Sequence, residues 1–298
     1  MALGHRGSRG CTLLIVLLVP GSLGAQRVTR SIPYRAHPAA EQYLDLYAPA
    51  AGKAAPVVLF IHGGSLQEAG ERRTSAMYAP VCPGLAARGI LCATMDYRLA
   101  PSSQWPAMPE DVAAAVRWLT DSAAAHGGDP GRIFLVGHSS GCHLAALVGL
   151  DSAYLATVEL RLSAIAGVVA MGCTLAPWDT AGRRVSPGQL EQSFARNDRD
   201  TYASLAWRLR ANPTAWVSAQ SPPFLVLVAE SERFSPSILE EAARFVRLMR
   251  EAGRSADLQI LAGRRHVTTT TGFADPQDRV ANLVAAFVHD PKAVTGTP

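Results

Sequence analysis

A histidine and two serines lie between two glycines in the segment GHSSG, residues 137–141. The apolar run RIFLV precedes this segment, and CHLAALVGL, which has the spacing of a helix, follows it. The segment matches the pattern G-x-S-x-G, in which the central serine lies at a sharp turn between a buried strand and a helix. Side chains at the flanking positions would collide with neighbouring backbone, so both must be small. The pattern predicts that Ser139 is a nucleophile and that Ser140 offers its backbone N–H to a developing oxyanion.

A serine hydroxyl is a weak nucleophile at its ordinary pKa, so Ser139 needs a general base. In chains with this pattern an acid and then a histidine follow the serine. We predict His266 as the base because it lies on a loop just past a predicted strand. His143 is one turn into the helix and is interpreted as a packing residue, and His289 ends the last predicted helix. His138 should point away from the serine, so we interpret it as structural or pocket-lining.

The acid should follow the predicted strand PPFLVLVAE, where the chain offers Glu230 and Glu232. Asp257 begins the next strand and therefore lies at the wrong end of the sheet. Position favours Glu232, with Glu230 left as the alternative. A carboxylate here would hold the tautomer of His266 and stabilise its imidazolium form.

A second group of N–H donors follows the first buried strand, in the segment HGGS, residues 62–65. Glycine lets backbone N–H groups approach a substrate carbonyl oxygen closely. We predict that Gly63 and Gly64, together with Ser140, form the oxyanion hole. These groups together predict acyl transfer through an acyl-enzyme.

Six apolar runs predict the buried strands that would position these residues, and helical patterns follow most of them. The runs are APVVLFIHGG, ILCATMDYRLAP, RIFLVGHS, LSAIAGVVAMGC, PPFLVLVAE and ADLQILAG. This alternation predicts an α/β fold with a mostly parallel central sheet and helices on both faces. The weakly alternating segment EQYLDLYAPA is predicted to be an antiparallel edge strand. Residues 174–221 break the alternation and predict a small cap or lid, the alternative being a peripheral helical insertion.

The first 25 residues predict a cleavable signal peptide, with a basic start, the apolar core CTLLIVLLV and a cut after Ala25. The core is too short to span a membrane, and we expect a secreted or periplasmic protein. Residues 26–298 are predicted to form a single domain, since 48% of the 298 residues are hydrophobic and 17% charged. Without Arg6 and Arg9 of the leader, the formal charge of +4 falls to +2, too weak to indicate a nucleic-acid partner.

Four cysteines would remain after cleavage: Cys82, Cys92, Cys142 and Cys173. Export permits disulfides, and four cysteines allow three full pairings among which the sequence does not choose. Buried free thiols are the alternative. The spacing fits no zinc site, and the predicted chemistry requires neither a metal nor an organic cofactor.

From about residue 40 to 288 the chain resembles the α/β-hydrolase superfamily, in its hormone-sensitive-lipase-like and acetyl-xylan and feruloyl-esterase-like branch. The motifs are HGGS, MDYRLAPSSQWPAMPEDVAAAVRWL, GGDPGRIFLVGHSSGCHLAAL, NPTAWVSAQSPPFLVLVAESERFSP and RRHVT. The resemblance implies a carboxylesterase for small-acyl esters, with the DYRLAP segment bracing the oxyanion loop. The chain departs from the family at Glu232, where aspartate is usual. It also departs at Ser65 and Leu66, where relatives usually have a third glycine or an alanine followed by an aromatic residue.

Two other functions fit the same residues. Kynurenine formamidases share the H-G-G turn and the H-[VF]-T segment, so the first alternative is an arylformamidase that acts on a formyl amide. The second is a hydrolase-fold protein that has lost catalysis and serves as a binding module. The sequence favours a serine carboxylesterase with Ser139, His266 and Glu232 as its triad and a small-molecule ester as its substrate.

Overall fold

The computed structural model describes residues 26–50, 54–68, 70, 72–175, 199–232 and 236–295. The strands are β1 (Arg27–Pro33), β2 (Tyr43–Ala48), β3 (Ala55–Ile61), β4 (Leu91–Met95), β5 (Gly128–His138), β6 (Ile165–Met171), β7 (Phe224–Ala229) and β8 (Ala256–Leu261). They form one sheet in the order β1-β2-β4-β3-β5-β6-β7-β8. The pairs β1–β2 and β2–β4 are antiparallel, and the other neighbours are parallel. The carboxyl ends of β3 to β8 therefore meet at one edge of the sheet.

Helices cover both faces of the sheet. They are α1 (Val81–Ala86), α2 (Ala107–Ser122), α3 (Ser140–Val148), α4 (Ser152–Ala156), α5 (Leu205–Arg210), α6 (Pro236–Glu251), α7 (Arg279–His289) and α8 (Pro291–Thr295). Along β3, Val57 and Leu59 pack into the core shared with α2, α3 and α6, whereas Val58 and Phe60 pack into the core shared with α1 and α7. This alternation follows from the two-residue period of a strand. The α/β-hydrolase fold is confirmed.

The expected edge strand is displaced from the edge. The segment that contains β2 was predicted to lie outermost, but β1 pairs with it and takes that place. Five of the first six residues of β1 are exposed, so this strand lacks the apolar alternation that would reveal it. It is held by backbone pairing, which side-chain patterns do not report.

Two regions with predicted roles lie wholly or partly outside the described residues. The leader, residues 1–25, is one of them, and residues 176–198 of the predicted cap are the other. The described part of the cap contains α5 and a short 3₁₀ helix, Pro213–Trp216. Its function as a lid stays a prediction. None of the helices described here is long and apolar enough to cross a membrane.

Both cysteine pairs are oxidised, so the alternative of free thiols is wrong. Cys82 pairs with Cys92, which joins α1 to β4. Cys142 pairs with Cys173, which joins the first turn of α3 to the loop after β6. The second disulfide therefore lies beside the turn that carries Ser139.

Candidate active site

Ser139 lies in a sharp turn between β5 and α3. Its backbone has φ 55° and ψ −128°, a conformation that costs a non-glycine residue on the order of 1–3 kcal/mol. A Cβ atom on Gly137 would overlap the backbone of Gly141. A Cβ atom on Gly141 would overlap the carbonyl oxygens of Ile61 and His62 at the end of β3. Close packing of three backbone segments therefore requires glycine on both sides of the serine.

His266 contacts Glu232 across the ends of two neighbouring strands. Glu232 ends the 3₁₀ turn Glu230–Glu232 after β7, and His266 begins the 3₁₀ turn His266–Thr269 after β8. The Nδ1 atom of His266 lies 2.6 Å from Oε1 of Glu232. The other oxygen of Glu232 accepts a hydrogen bond of 2.9 Å from the N–H of Ala229. Glu230 instead accepts a hydrogen bond from the N–H of Gly263, so Glu232 is the carboxylate beside His266.

The environment of Glu232 favours its ionised form. Burial by itself would raise the pKa of the carboxyl group, but the hydrogen bonds from His266 and Ala229 outweigh burial and lower the pKa. A carboxylate that stays charged at neutral pH can hold the Nδ1 proton of His266 and leave Nε2 as an acceptor.

Ser139, His266 and Glu232 line one cavity of about 420 Å³. Gly172 forms part of its wall, and a Cβ atom there would lie 3.0 Å from Nδ1 of His266. Gly172 also has φ 62°, so both its backbone and its position favour glycine. The rest of the wall includes Ser65, Leu66, Ser140, His143, Cys173, Thr174, Tyr202 and Ile238. Sequence patterns did not point to Gly172, whereas Tyr202 lies in the predicted cap, residues 174–221.

One of the three predicted oxyanion donors needs correction. The N–H of Gly63 donates a 3.0 Å hydrogen bond to the hydroxyl of Tyr78, so this proton is already engaged. Ser140 is the first residue of α3, where a backbone N–H has no partner within the helix. Gly64 follows Gly63 in the turn with φ 114°. Gly64 and Ser140 therefore remain as the predicted donors.

The segment after β4 supports the turn that carries Gly64. The ring of His62 stacks on Tyr97 with their centroids 4.4 Å apart, and the Tyr97 hydroxyl donates a 2.8 Å hydrogen bond to the carbonyl of His62. Nε2 of His62 lies 3.4 Å from Asp96, which also pairs with Arg73. Burial would raise the pKa of Asp96, but its bonds to these two residues lower it. This is the brace under the oxyanion loop that the resemblance implied.

The other histidines of the sequence analysis occupy three different environments. His138 is buried behind the turn, where burial and the neighbouring His266 lower its pKa to about 4. His143 is also buried, its pKa lowered to about 4 by burial, and it forms part of the cavity wall. His289 contacts the carbonyl of Arg88. Among the described residues, no three histidine, cysteine, aspartate or glutamate side chains are grouped to hold a metal ion.

Comparisons with known proteins agree with this architecture. Residues 44–238 match the BD-FAE family. Esterase LipQ of Mycobacterium tuberculosis is 29% identical over 231 residues, which cover 76% of this chain and 53% of LipQ. Esterase LipC of the same organism is 32% identical over 213 residues, which cover 68% of this chain and 50% of LipC. The chain thus spans about half the length of these curated relatives.

A solved structure extends the similarity over most of the chain. The hyperthermophilic esterase of the archaeon Pyrobaculum calidifontis has 26% sequence identity and a TM-score of 0.69. The match covers 90% of this chain and 86% of the archaeal one. The chain belongs to the BD-FAE family, in the hormone-sensitive-lipase-like branch of the α/β-hydrolases.

Proposed function

We propose that this protein is a serine carboxylesterase that cleaves esters with small acyl groups. The observation that carries the proposal is the 2.6 Å contact between His266 and Glu232 on the wall of the cavity that also contains Ser139. The names of the related proteins, esterases in the cases above, support ester hydrolysis. They support neither the arylformamidase nor the binding module.

In the proposed mechanism, Ser139 attacks the carbonyl carbon of the ester while Nε2 of His266 takes the hydroxyl proton. Glu232 orients His266 and stabilises the imidazolium that forms. Gly64 and Ser140 donate N–H groups to the oxyanion. His266 then protonates the leaving alcohol, and water, activated by the same histidine, releases the acid from the acyl-enzyme.

The cavity supports the preference for a small acyl group. Its volume is about 420 Å³, near the low end of the range for ligand pockets in proteins. Leu66, Tyr202 and Ile238 supply apolar surface that suits a short alkyl chain.

The test is hydrolysis of p-nitrophenyl acetate, butyrate and octanoate by the wild type and by Ser139→Ala. We expect turnover of the short esters and a loss of at least roughly a thousandfold in the variant. Ser152→Ala, which changes an exposed serine on α4, is the matched control. Inert wild type that also resists a serine-directed fluorophosphonate would support the binding module, and cleavage of formylated arylamines alone would support the arylformamidase.

A further inference from the structure

Three hydrogen bonds connect the turn that carries Gly64 to the turn that carries His266. The N–H of Gly63 lies 3.0 Å from the hydroxyl of Tyr78, and this hydroxyl lies 3.0 Å from Nδ1 of His138. Nε2 of His138 in turn lies 3.0 Å from the carbonyl oxygen of His266. Tyr78 and His138 are 3% and 1% exposed, so water has little access to compete for these bonds.

The chemistry of the groups gives these three bonds one consistent direction. The carbonyl of His266 can only accept, so the proton of His138 lies on Nε2. Burial lowers the pKa of His138 to about 4, so the ring is neutral at pH 7 and its Nδ1 atom must accept. The Tyr78 hydroxyl therefore donates to Nδ1 and accepts from the N–H of Gly63. Reversing any bond would leave two donors or two acceptors facing each other.

Both ends of this hydrogen-bond chain lie close to Ser139: a Cβ atom on Gly63 would lie 2.8 Å from the Cβ atom of Ser139, and His266 lines the same cavity as Ser139. One end holds Gly63, whose neighbour Gly64 is a proposed oxyanion donor. The other end holds the backbone of His266, whose carbonyl also accepts a 2.7 Å hydrogen bond from the hydroxyl of Thr269. The ring of His138 also packs against that of His266, with their centroids 4.6 Å apart. The position of His266 relative to the oxyanion donors therefore depends on Tyr78 and His138, two side chains that do not line the cavity.

We propose that Tyr78 and His138 are positioning residues that hold the oxyanion turn and the His266 turn in register around Ser139. The inference rests on the proposed esterase function. It assigns a role to the histidine inside the GHSSG segment and to Tyr78, which lies just before α1.

The test compares Tyr78→Phe, His138→Leu, their double variant and His138→Gln in the full chain, with p-nitrophenyl butyrate as substrate. We expect Tyr78→Phe and His138→Leu each to lower kcat about ten- to a hundredfold with little change in KM, because misplaced groups lose transition-state stabilisation. The double variant should be no worse than the more impaired single variant, since both changes break one chain. His138→Gln should recover most of kcat, because its amide can accept from Tyr78 and donate to His266.

Tyr47→Phe is the matched control. It removes the hydroxyl of another buried tyrosine, which contacts Arg30 at the β1–β2 end of the sheet, and it should leave kcat unchanged. If the wild type cleaves the ester but the single variants keep full kcat, the positioning role is refuted while the esterase function stands. The same conclusion follows if the losses of kcat in the two single variants multiply in the double variant. It also follows if His138→Gln has no higher kcat than His138→Leu. An inert wild type would refute the esterase function itself, and the positioning role with it.

A second measurement does not depend on the variants folding. Nitrogen-15 NMR of the wild type reports which nitrogen of His138 carries its proton. The proposal requires the Nε2–H form at pH 7. The Nδ1–H form, or a doubly protonated ring, would contradict the direction of the hydrogen-bond chain and overturn it.

Discussion

Glu232 stands where the family usually has aspartate, yet its position suits the proposed role of orienting His266. It is the last residue of the 3₁₀ turn that follows β7, and its two oxygens contact His266 and the N–H of Ala229. The longer side chain lets a carboxylate reach His266 from that turn. Glu230, two residues earlier, instead contacts Gly263.

The role of this carboxylate gives a direct prediction. Glu232→Gln should lower kcat by about 10³–10⁴, because an amide cannot stabilise the imidazolium or hold the required tautomer. Glu230→Gln is the matched control and should retain nearly full activity. Steady-state kinetics on a short p-nitrophenyl ester checks both. A larger loss in Glu230→Gln than in Glu232→Gln would reverse the assignment.

Two buried histidines predict that the protein loses stability in mild acid. His138 and His143 have pKa values of about 4, against an ordinary value of 6.5. Between these limits the unfolded chain binds protons that the folded chain does not. The free energy of unfolding should therefore fall as the pH drops from 6.5 towards 4, by about 1.4 kcal/mol per pH unit for each histidine. Carboxylates with a lowered pKa, such as Glu232 and Asp96, add their loss at lower pH.

Urea unfolding at pH 7 and pH 5 measures this dependence. His143→Gln should reduce the difference between the two free energies of unfolding by roughly half, since one of the two histidines with a lowered pKa is removed. His37→Gln changes an exposed histidine and should leave the difference as in the wild type. An unchanged difference in His143→Gln would show that this histidine is charged in the folded protein.

At the scale of elements, one disulfide borders the cavity and the other lies on the opposite face of the sheet. Cys142–Cys173 ties the first turn of α3 to the loop after β6, and Cys173 lines the cavity. Cys82–Cys92 ties α1 to β4 on the opposite face of the sheet. The Cys142–Cys173 bond closes a segment of 31 residues, and the Cys82–Cys92 bond closes a segment of 10 residues.

Replacing each pair by alanines separates stability from activity. Loop-closure entropy predicts losses of roughly 4 kcal/mol for the Cys142–Cys173 pair and roughly 3 kcal/mol for the Cys82–Cys92 pair. Only the first replacement should also lower kcat, because it releases the loop that places Gly172 beside His266. Chemical unfolding and ester hydrolysis on both variants check this. Equal loss of kcat in the two variants would contradict a specific link to the site.

At the scale of the whole molecule, we propose that the chain is exported and cut after Ala25. The basic start, short apolar core and small residues of the leader motivate this proposal, and the two disulfides fit an oxidising compartment. Mass spectrometry of the protein expressed with its own leader should find an N-terminus at Gln26 in the exported fraction. An intact N-terminal segment that stays inside the cell would refute export.

The sequence by itself determined the fold class and the position of the strand-to-helix turn. Both depend on local features: apolar runs of strand length, helical spacing between them, and glycines on either side of Ser139. The position of His266 past the last strand was also readable, because parallel strands bring their carboxyl ends to one edge of the sheet. These inferences require only the periodicity and the order of elements along the chain.

Only the tertiary structure decided which groups touch. It placed β1 outside β2, paired the cysteines, brought Glu232 rather than Glu230 to His266, and occupied the N–H of Gly63 with Tyr78. The bond from His138 to the carbonyl of His266 joins residues 128 positions apart. Such contacts arise when separate elements pack against one sheet, and they depend on distances and directions that no local pattern of residue types encodes.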